Sequence, residues 1–378
     1  MEKISSQPQS SEKLYQLALS MLPHVGGTLA KQLISYCGSA EQIFTASSRQ
    51  LSRIPGIGDK IISGIRKADA LFSEAEAQLQ ACEKQGVSII TYEDEAYPAR
   101  LRQIFDAPIL LFFKGNADLS ASRMISMVGT REATPYGRQV VEELVNGLLP
   151  YNVTIVSGLA YGIDIFAHRA SLQAGLPTIG VMGSGIDIIY PSVHRKEAWQ
   201  MIDKGGLLTE NCLGTKPDAR RFPARNRIIA GLTDATVVVE AADKGGALIT
   251  ANLANDYDRE VFAVPGSLYQ PYSRGCNRLI REHKAHILTG VEDLINLMNW
   301  DTAALDRKEA AQVAMKRPEL DAEEQKVVDL LSKSKEAMQL DILSWHAQFS
   351  VSKLAAILLS LEFKGLIRSL PGKKYTLV

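Results

Sequence analysis

Cysteine is scarce. Four residues, Cys37, Cys82, Cys212 and Cys276, are scattered over 378 positions, none at CxxC or Cys/His ligand spacing. That pattern excludes a disulfide scaffold and a thiolate metal site, and reads as the reduced, buried thiols of a cytoplasmic protein. Net charge is missing too: Lys+Arg and Asp+Glu both number 42. The balance holds locally, with 12 basic against 13 acidic residues in 1–120, 18 against 18 in 121–295 and 12 against 11 in 296–378. A general polyanion binder is therefore excluded, and any affinity for nucleic acid must come from local geometry. No apolar run approaches the ~20 residues of a membrane span, and MEKISSQPQS has no apolar segment behind a basic head. Neither a membrane anchor nor a signal peptide is expected. Absent as well are GxGxxG with a following acid, GxxxxGK[ST] and GxSxG, which argues against nicotinamide, P-loop and hydrolase chemistry. Asp164, Asp187 and Asp243 stand singly, so neither a metal, a cofactor nor a catalytic set is expected. His168 follows Asp164 by four positions, and an Asp–His hydrogen bond within one helix is its expected role.

What the chain has is concentrated. Arg220-Arg221-Phe222-Pro223-Ala224-Arg225-Asn226-Arg227 packs four arginines, a ring and an amide into eight positions, then runs into apolar Ile228-Ile229-Ala230-Gly231. Guanidinium groups hold phosphate through paired hydrogen bonds, and a ring among them offers a face to a base. In a chain of zero net charge, such a patch points to one defined phosphate-bearing ligand. For Phe222 the competing role is core packing beside Pro223. For Arg225, Asn226 and Arg227 it is capping of the helix and pairing with Glu210 or Glu240.

Residues 1–11 are polar and expected to be unstructured. A helical domain over 12–75 holds two similar breaks, Leu22-Pro23-His24-Val25-Gly26-Gly27 and Ile54-Pro55-Gly56-Ile57-Gly58-Asp59-Lys60. This is the helix-hairpin-helix pattern, whose glycines permit a tight turn and leave N–H groups facing outward. A grip on DNA phosphate and plain helical packing both fit it, and the Lys60 copy is the better phosphate candidate. A second domain over 76–298 opens with apolar runs at 86–92 and 109–113. Short apolar segments then follow at 124–128, 154–157, 178–182, 207–210, 235–240, 260–264 and 286–288, alternating with helical periods such as 136–149, 163–174 and 247–256. The alternation predicts an α/β fold with a doubly wound parallel sheet, its strands buried on both faces. Residues 299–318 read as a linker. In 319–378, helices at 323–332, 339–345 and 350–364 precede a hairpin about Gly372, the order of a winged helix. Lys353, Lys364, Arg368, Lys373 and Lys374 make that unit basic, yet VSKLAAILLSLEFKG carries few base-reading side chains. Protein contact or non-specific DNA contact is expected of it, not sequence readout.

Ligands of open parallel sheets bind beyond the carboxyl ends of the strands. Five strand ends here carry glycine or small polar residues: Gly129-Thr130-Arg131, Ser157-Gly158-Leu159-Ala160-Tyr161-Gly162, Gly183-Ser184-Gly185, Lys244-Gly245-Gly246-Ala247-Leu248-Ile249-Thr250 and Pro265-Gly266-Ser267. Glycine lets the backbone approach a phosphate, and a helix N-terminus favours negative charge. Five such turns on one edge predict an anionic ligand.

In order and spacing these motifs resemble the DprA/Smf family of bacterial DNA-processing proteins. The resemblance covers roughly 121–290. It rests on Val128-Gly129-Thr130-Arg131, the 157–164 turn with Ala167-His168, Tyr190-Pro191, Glu210, the 222–232 run, Gly246-x-Leu248-Ile249-Thr250-Ala251, Val264-Pro265-Gly266 and Gly275-Cys276-Asn277-x-Leu279-Ile280. It implies an extended Rossmann-like domain between an N-terminal helix-hairpin-helix (SAM-like) domain and a C-terminal winged helix. It further implies single-stranded DNA binding without catalysis or cofactor, and a homodimer that protects incoming DNA during transformation. That dimer would deliver the strand to the RecA recombinase while single-strand-binding protein is displaced. The implied DNA-binding residues are Gly129, Thr130, Arg131, Ser157, Gly158, Gly162, Gly183, Arg221, Phe222, Arg225, Arg227, Lys244, Gly245, Gly246 and Thr250, with Phe222 stacking on a base and Arg131 on phosphate. Two positions depart from the family. Tyr161 stands where arginine is usual, losing a cation or gaining a stacking face, and Gly245-Gly246-Ala247 replaces Ser-Gly-Ser, leaving backbone N–H groups and Lys244 for contact. The rival reading is a nucleotide-binding enzyme or sensor using the same sheet edge, which would not need the arginine–aromatic run or the flanking modules. A duplex-specific transcription factor is weakened by the poor recognition helix.

Overall fold

A computed structural model of the chain describes residues 8–300, 320–333, 338–364, 366–370 and 374–377. The expected start at 1–7, most of the expected linker, and Gly372, Lys373 and Val378 of the expected hairpin lie outside the described residues. The chain divides into two compact units, one running to Trp300 and one holding the described residues from Leu320 onward.

The first unit is built on one nine-stranded sheet. Its strands are β1 (Ser88–Thr91), β2 (Leu110–Gly115), β3 (Met124–Val128), β4 (Thr154–Ser157), β5 (Thr178–Val181), β6 (Gly205–Thr209), β7 (Ala235–Val238), β8 (Glu260–Ala263) and β9 (His286–Ile287). The spatial order is β1-β2-β6-β5-β4-β3-β7-β8-β9. The seven strands from β6 to β9 are parallel, while β2 and β1 extend the β6 edge antiparallel. The doubly wound sheet expected from the alternation is thus present.

Side-chain alternation divides the strands between two cores. Met124, Val128, Val156, Leu208 and Val238 pack with Ile228, Ile229, Leu248 and Ala251, from the helices Arg221–Leu232 and Gly246–Asp256. Ile125, Met127, Ile155, Val237 and Phe262 pack on the other face with Val141, Val145, Ile163 and Ala167, from the helices Pro135–Gly147 and Ile163–Ala174.

Three boundaries differ from expectation. A helix spans Pro8–Met21, entering the stretch read as unstructured, with proline at its first position where the missing N–H has no partner to lose. Trp300, read as linker, is buried in the second of the two cores. The helical segment before residue 76 packs into the same compact unit as the sheet: Leu17, Ala18 and Ala75 share a core with Phe112, Ile165 and Leu207.

The two hairpins are also inequivalent. The N-cap of the first turn, Gly26, has nothing within 4 Å of an added Cβ, but at the next position a Cβ on Gly27 would lie 2.4 Å from the Ala107 carbonyl oxygen. Lys31 Nζ donates to the Phe105 carbonyl at 2.9 Å, so the first turn packs against the 105–107 segment on one side. At the second, a Cβ on Gly58 would meet nothing within 4 Å, and Lys60 is exposed.

The second unit has helices Ala322–Lys333, Leu340–Ala347 and Val351–Phe363 around Val327, Leu331, Leu343, Leu354, Leu358 and Leu361. A three-stranded sheet of β10 (Met338–Gln339), β12 (Lys374–Leu377) and β11 (Ile367–Leu370), in that order, completes the winged helix. Lys353 donates to Glu323 at 2.6 Å. Lys364 and Ser360 bind Glu324, holding its carboxyl down to about 2. Two of the expected basic groups are thus engaged inside the unit. No single helix among the described residues is long and apolar enough to cross a membrane.

Candidate functional site

Strand order reverses between β3 and β7, and a crevice opens beyond their carboxyl ends, as topology requires. It is a cleft of about 1080 Å³. One wall is the turn after β3, with Gly129, Thr130, Arg131 and Glu132; the other brings Phe222, Arg225 and Asn226 from the start of the 221–232 helix. The turn after β7 closes the end with Asp243, Lys244, Gly245 and Gly246. The β3 turn is fixed from below: Thr130 N donates to the Glu240 carbonyl at 2.7 Å. Glu240 is 4 % exposed, and its carboxylate accepts from Thr134 N and Thr134 Oγ1 at 2.9 and 2.6 Å, pinning the Pro135–Gly147 helix.

Arg131 and Phe222, far apart in sequence, meet here. The Arg131 guanidinium lies 5.8 Å from the Phe222 ring centroid. Arg131 is exposed and has no carboxylate within ion-pair distance among the described residues. A cation beside a ring can hold an anion and offer a face to a planar group together.

The 244–246 turn is open. A Cβ on Gly245 would meet nothing within 4 Å, and one on Gly246 would reach only Asn226 Nδ2, at 3.7 Å. Gly245 caps the Gly246–Asp256 helix without a side-chain hydrogen bond, so the first N–H groups of an 11-residue helix face the cleft beside Lys244. Thr250 lies in the same helix, buried, its hydroxyl donating to the Gly246 carbonyl at 3.1 Å.

Other glycines serve the fold instead. At Gly162 (φ +76°) a Cβ would sit 2.1 Å from the Thr130 carbonyl oxygen, and Ile163 N already donates to that oxygen. The N-terminus of the Ile163–Ala174 helix is therefore stopped by protein backbone. A Cβ on Gly158 would strike Asp164 and Arg225, and one on Gly266 would strike Ser273. Gly183 gives way to the Phe222 ring, 3.0 Å from where its Cβ would be. The five turns therefore do not act as one anion-binding edge: close backbone and side-chain packing accounts for Gly158, Gly162 and Gly266.

Three residues expected at the ligand are committed within the protein. Ser157 is fully buried, its hydroxyl 2.6 Å from the Met127 carbonyl and beside Asp164. Arg225 is 7 % exposed and donates to the Val181 carbonyl. Burial pushes the neighbouring Asp164 carboxyl up while Arg225 draws it down. Arg227 pairs with Glu210, one of the two partners the sequence suggested, and the burial of Glu210 pushes that carboxyl up. Arg221 is exposed, donates to the Lys216 carbonyl at 2.8 Å, and stands outside the cleft lining.

His168 does not bond Asp164. Its Nε2 donates to the Gly158 carbonyl and its Nδ1 meets Thr178 Oγ1 at 2.7 Å, because the ring turns into the sheet while Asp164 faces the Ala160 amide. Burial lowers its pKa to about 4, so it is a neutral core residue.

Sequence reasoning missed several cleft residues. Arg278 donates to the Asp243 carbonyl at 2.8 Å and holds the open turn from the side; it occupied the unspecified position in the 275–280 motif. Tyr272 bonds Glu132 across the rim, and Tyr190 lies 5.8 Å from Phe222, ring to ring. Of these only Tyr190 had a signal, the Tyr190-Pro191 pair.

Comparison with known proteins adds three matches along the chain. The family model of DNA recombination-mediator protein A matches residues 88–299, a DprA winged helix domain 311–373 and a helix-hairpin-helix motif 16–74. The protein Smf of Synechocystis is 31% identical, over 97% of this chain and 99% of its own length. The DNA processing protein DprA of Bacillus subtilis is 43% identical over 60% of this chain and 79% of its own. Among solved structures, DprA of Streptococcus pneumoniae superposes with a TM-score of 0.63 at 34% identity, covering 78% of this chain and 98% of that one. DNA processing protein A of Helicobacter pylori, described in its single-stranded DNA binding mode, superposes with a TM-score of 0.52 at 29% identity, covering 57% and 97%.

Proposed function

Because this chain belongs to the DNA recombination-mediator protein A (DprA/Smf) family, we propose that its cleft holds single-stranded DNA and that the protein hands the strand to the RecA recombinase without changing it chemically. The observation that carries the reading is the Arg131–Phe222 pair facing the open 244–246 turn. It joins one phosphate contact, one stacking face and one helix N-terminus in a single crevice. Phosphates run along Arg131, Lys244 and the Gly245-Gly246 backbone, and a base lies on Phe222. Arg221 meets the strand as it leaves the cleft. Arg225 shapes a wall, Ser157 and Arg227 lie outside the cleft lining, and none of the three makes contact. A homodimer in the cytoplasm, displacing single-strand-binding protein and protecting incoming DNA in transformation, completes the proposed role.

Arg131→Ala is expected to weaken binding of a single-stranded oligonucleotide and to reduce the slope of log K against log salt by about 1, since one phosphate contact is lost. Arg221→Ala should lower the slope by a similar amount. Fluorescence anisotropy over a salt series reads both. An unchanged slope for Arg131→Ala places the phosphates elsewhere and removes the reading.

A further inference from the structure

One helix outside the cleft carries charges that its own stability does not explain. The helix Arg195–Asp203 opens with Arg195 and Lys196, two cations in the turn where the helix dipole favours acids. Neither has a carboxylate within ion-pair distance among the described residues. One turn on, and so on the same face, stands Trp199, 56 % exposed. Lys114 of β2, likewise without a carboxylate partner among the described residues, lies over the Trp199 ring with its Nζ 5.6 Å from the centroid. Three cations thus gather round one exposed indole. Of the acids near them, Glu197 pairs with Arg169 at 2.7 Å and Asp187 accepts from Gly214 N at 3.0 Å, which leaves Asp203 to oppose the three.

Beside the ring is an apolar hollow of about 110 Å³. Ile186, Ala198 and Leu207 line it from the buried side, and Ile189 and Ile202 are half-buried in its wall. None of its lining residues lines the cleft. The space suits one branched aliphatic or aromatic side chain. A nucleobase entering it would leave ring N–H and carbonyl groups against aliphatic carbon, which argues against a second stretch of strand. We propose that this surface docks an acidic peptide segment of a partner protein. One apolar side chain of the segment sits in the hollow against Trp199, and its carboxylates meet Lys114, Arg195 and Lys196. An aromatic anchor at a pocket, ringed by complementary charge, is the anatomy of an interface hot spot. Carboxylates there would also offset the repulsion between the first-turn cations and the helix dipole. The surface stands apart from the single-strand reading of the cleft and does not depend on it.

The test uses defined peptides and the full-length protein. A labelled peptide of aspartates around one leucine is titrated beside two relatives, one with serine for the leucine and one with lysines for the aspartates. Anisotropy at low salt should show the aspartate–leucine peptide binding more tightly than either relative. Trp199→Ala should weaken it by about 5- to 30-fold, the range for a residue near the centre of an interface. Arg195→Glu with Lys196→Glu should weaken it by about 10-fold or more and flatten its salt dependence. That double variant places acids where the helix dipole favours them, so its melting temperature should hold and misfolding would not account for the loss. Both variants should bind oligothymidylate as wild type does. Equal binding of the serine or the lysine peptide, or no binding of the aspartate–leucine peptide by wild type, overturns the proposal. Weaker oligothymidylate binding by Trp199→Ala assigns the surface to nucleic acid and overturns it as well. Failure of wild type to bind oligothymidylate removes the cleft reading and leaves the docking result standing.

Discussion

Phe222→Ala is expected to lower single-stranded oligonucleotide affinity by about 1–3 kcal/mol with almost no change in salt slope. The ring carries no charge, so its removal releases no counterions and acts on stacking alone. It sits where loss is felt most, with the Arg131 guanidinium 5.8 Å from its centroid and Tyr190 at the same separation. Arg131→Ala should show the reverse signature, a reduced slope. A titration of each variant at several salt concentrations separates them. Phe222→Leu, which keeps apolar volume against Gly183 but lacks a π face, should behave like the alanine variant. Were leucine to restore binding, packing and not stacking would be the role of the ring.

Gly162→Ala should produce the largest loss of stability of any single methyl group added at the site. Its backbone is at φ +76° and ψ −127°, a conformation avoided by residues with a side chain. The new Cβ would lie 2.1 Å from the Thr130 carbonyl oxygen and 2.8 Å from Arg131 Cα. Strain and collision together should cost about 3 kcal/mol or more. The relief available is displacement of the 129–131 turn, so binding should fall with stability. Gly175→Ala is the comparison: its φ is +82° with ψ 11°, the left-handed helical region, and a Cβ there would meet nothing within 4 Å. Backbone strain alone should cost about 1–2 kcal/mol there and leave binding intact. Denaturant midpoints at constant m-value give both numbers. Equal losses in the two variants would show that the contact between Gly162 and the β3 turn does not matter.

Much of this architecture was legible in the order of residues. The strands at 124–128 and 154–157 coincide with β3 and β4 end to end, because each is a short run rich in β-branched or apolar residues that stops at a glycine. The helix over Ile163–Ala174 was bounded in the same way, by Gly162 and Gly175. The antiparallel addition of β1 and β2 to β6 was not legible, since apolar runs at 86–92 and 109–113 do not state their partners.

The site was legible in location and less so in detail. Phe222 was picked from its chemistry and Arg131 from the family resemblance, and the topology brings them together. Arg221, Arg225 and Arg227 look alike in sequence, yet the helix that begins at Arg221 sends them to three environments: solvent, the sheet interior and Glu210. Helical register against the sheet decides this, and only tertiary packing sets that register. Glycine has the same ambiguity. Gly246 is open for a ligand, whereas Gly162 and Gly266 are small because protein atoms occupy the space a side chain would need.

The central claim is that a cleft in a chain of zero net charge selects an unpaired strand. The measurement that tests it most directly is a parallel titration of the full-length protein with one oligonucleotide, its duplex and a free mononucleotide across a salt series. The expected result is tighter binding of the single strand at every salt concentration, with a log–log slope reporting the few phosphates reached by Arg131, Lys244 and Arg221. Equal affinity for the duplex, or stabilisation by the mononucleotide with no binding of the strand, would contradict it.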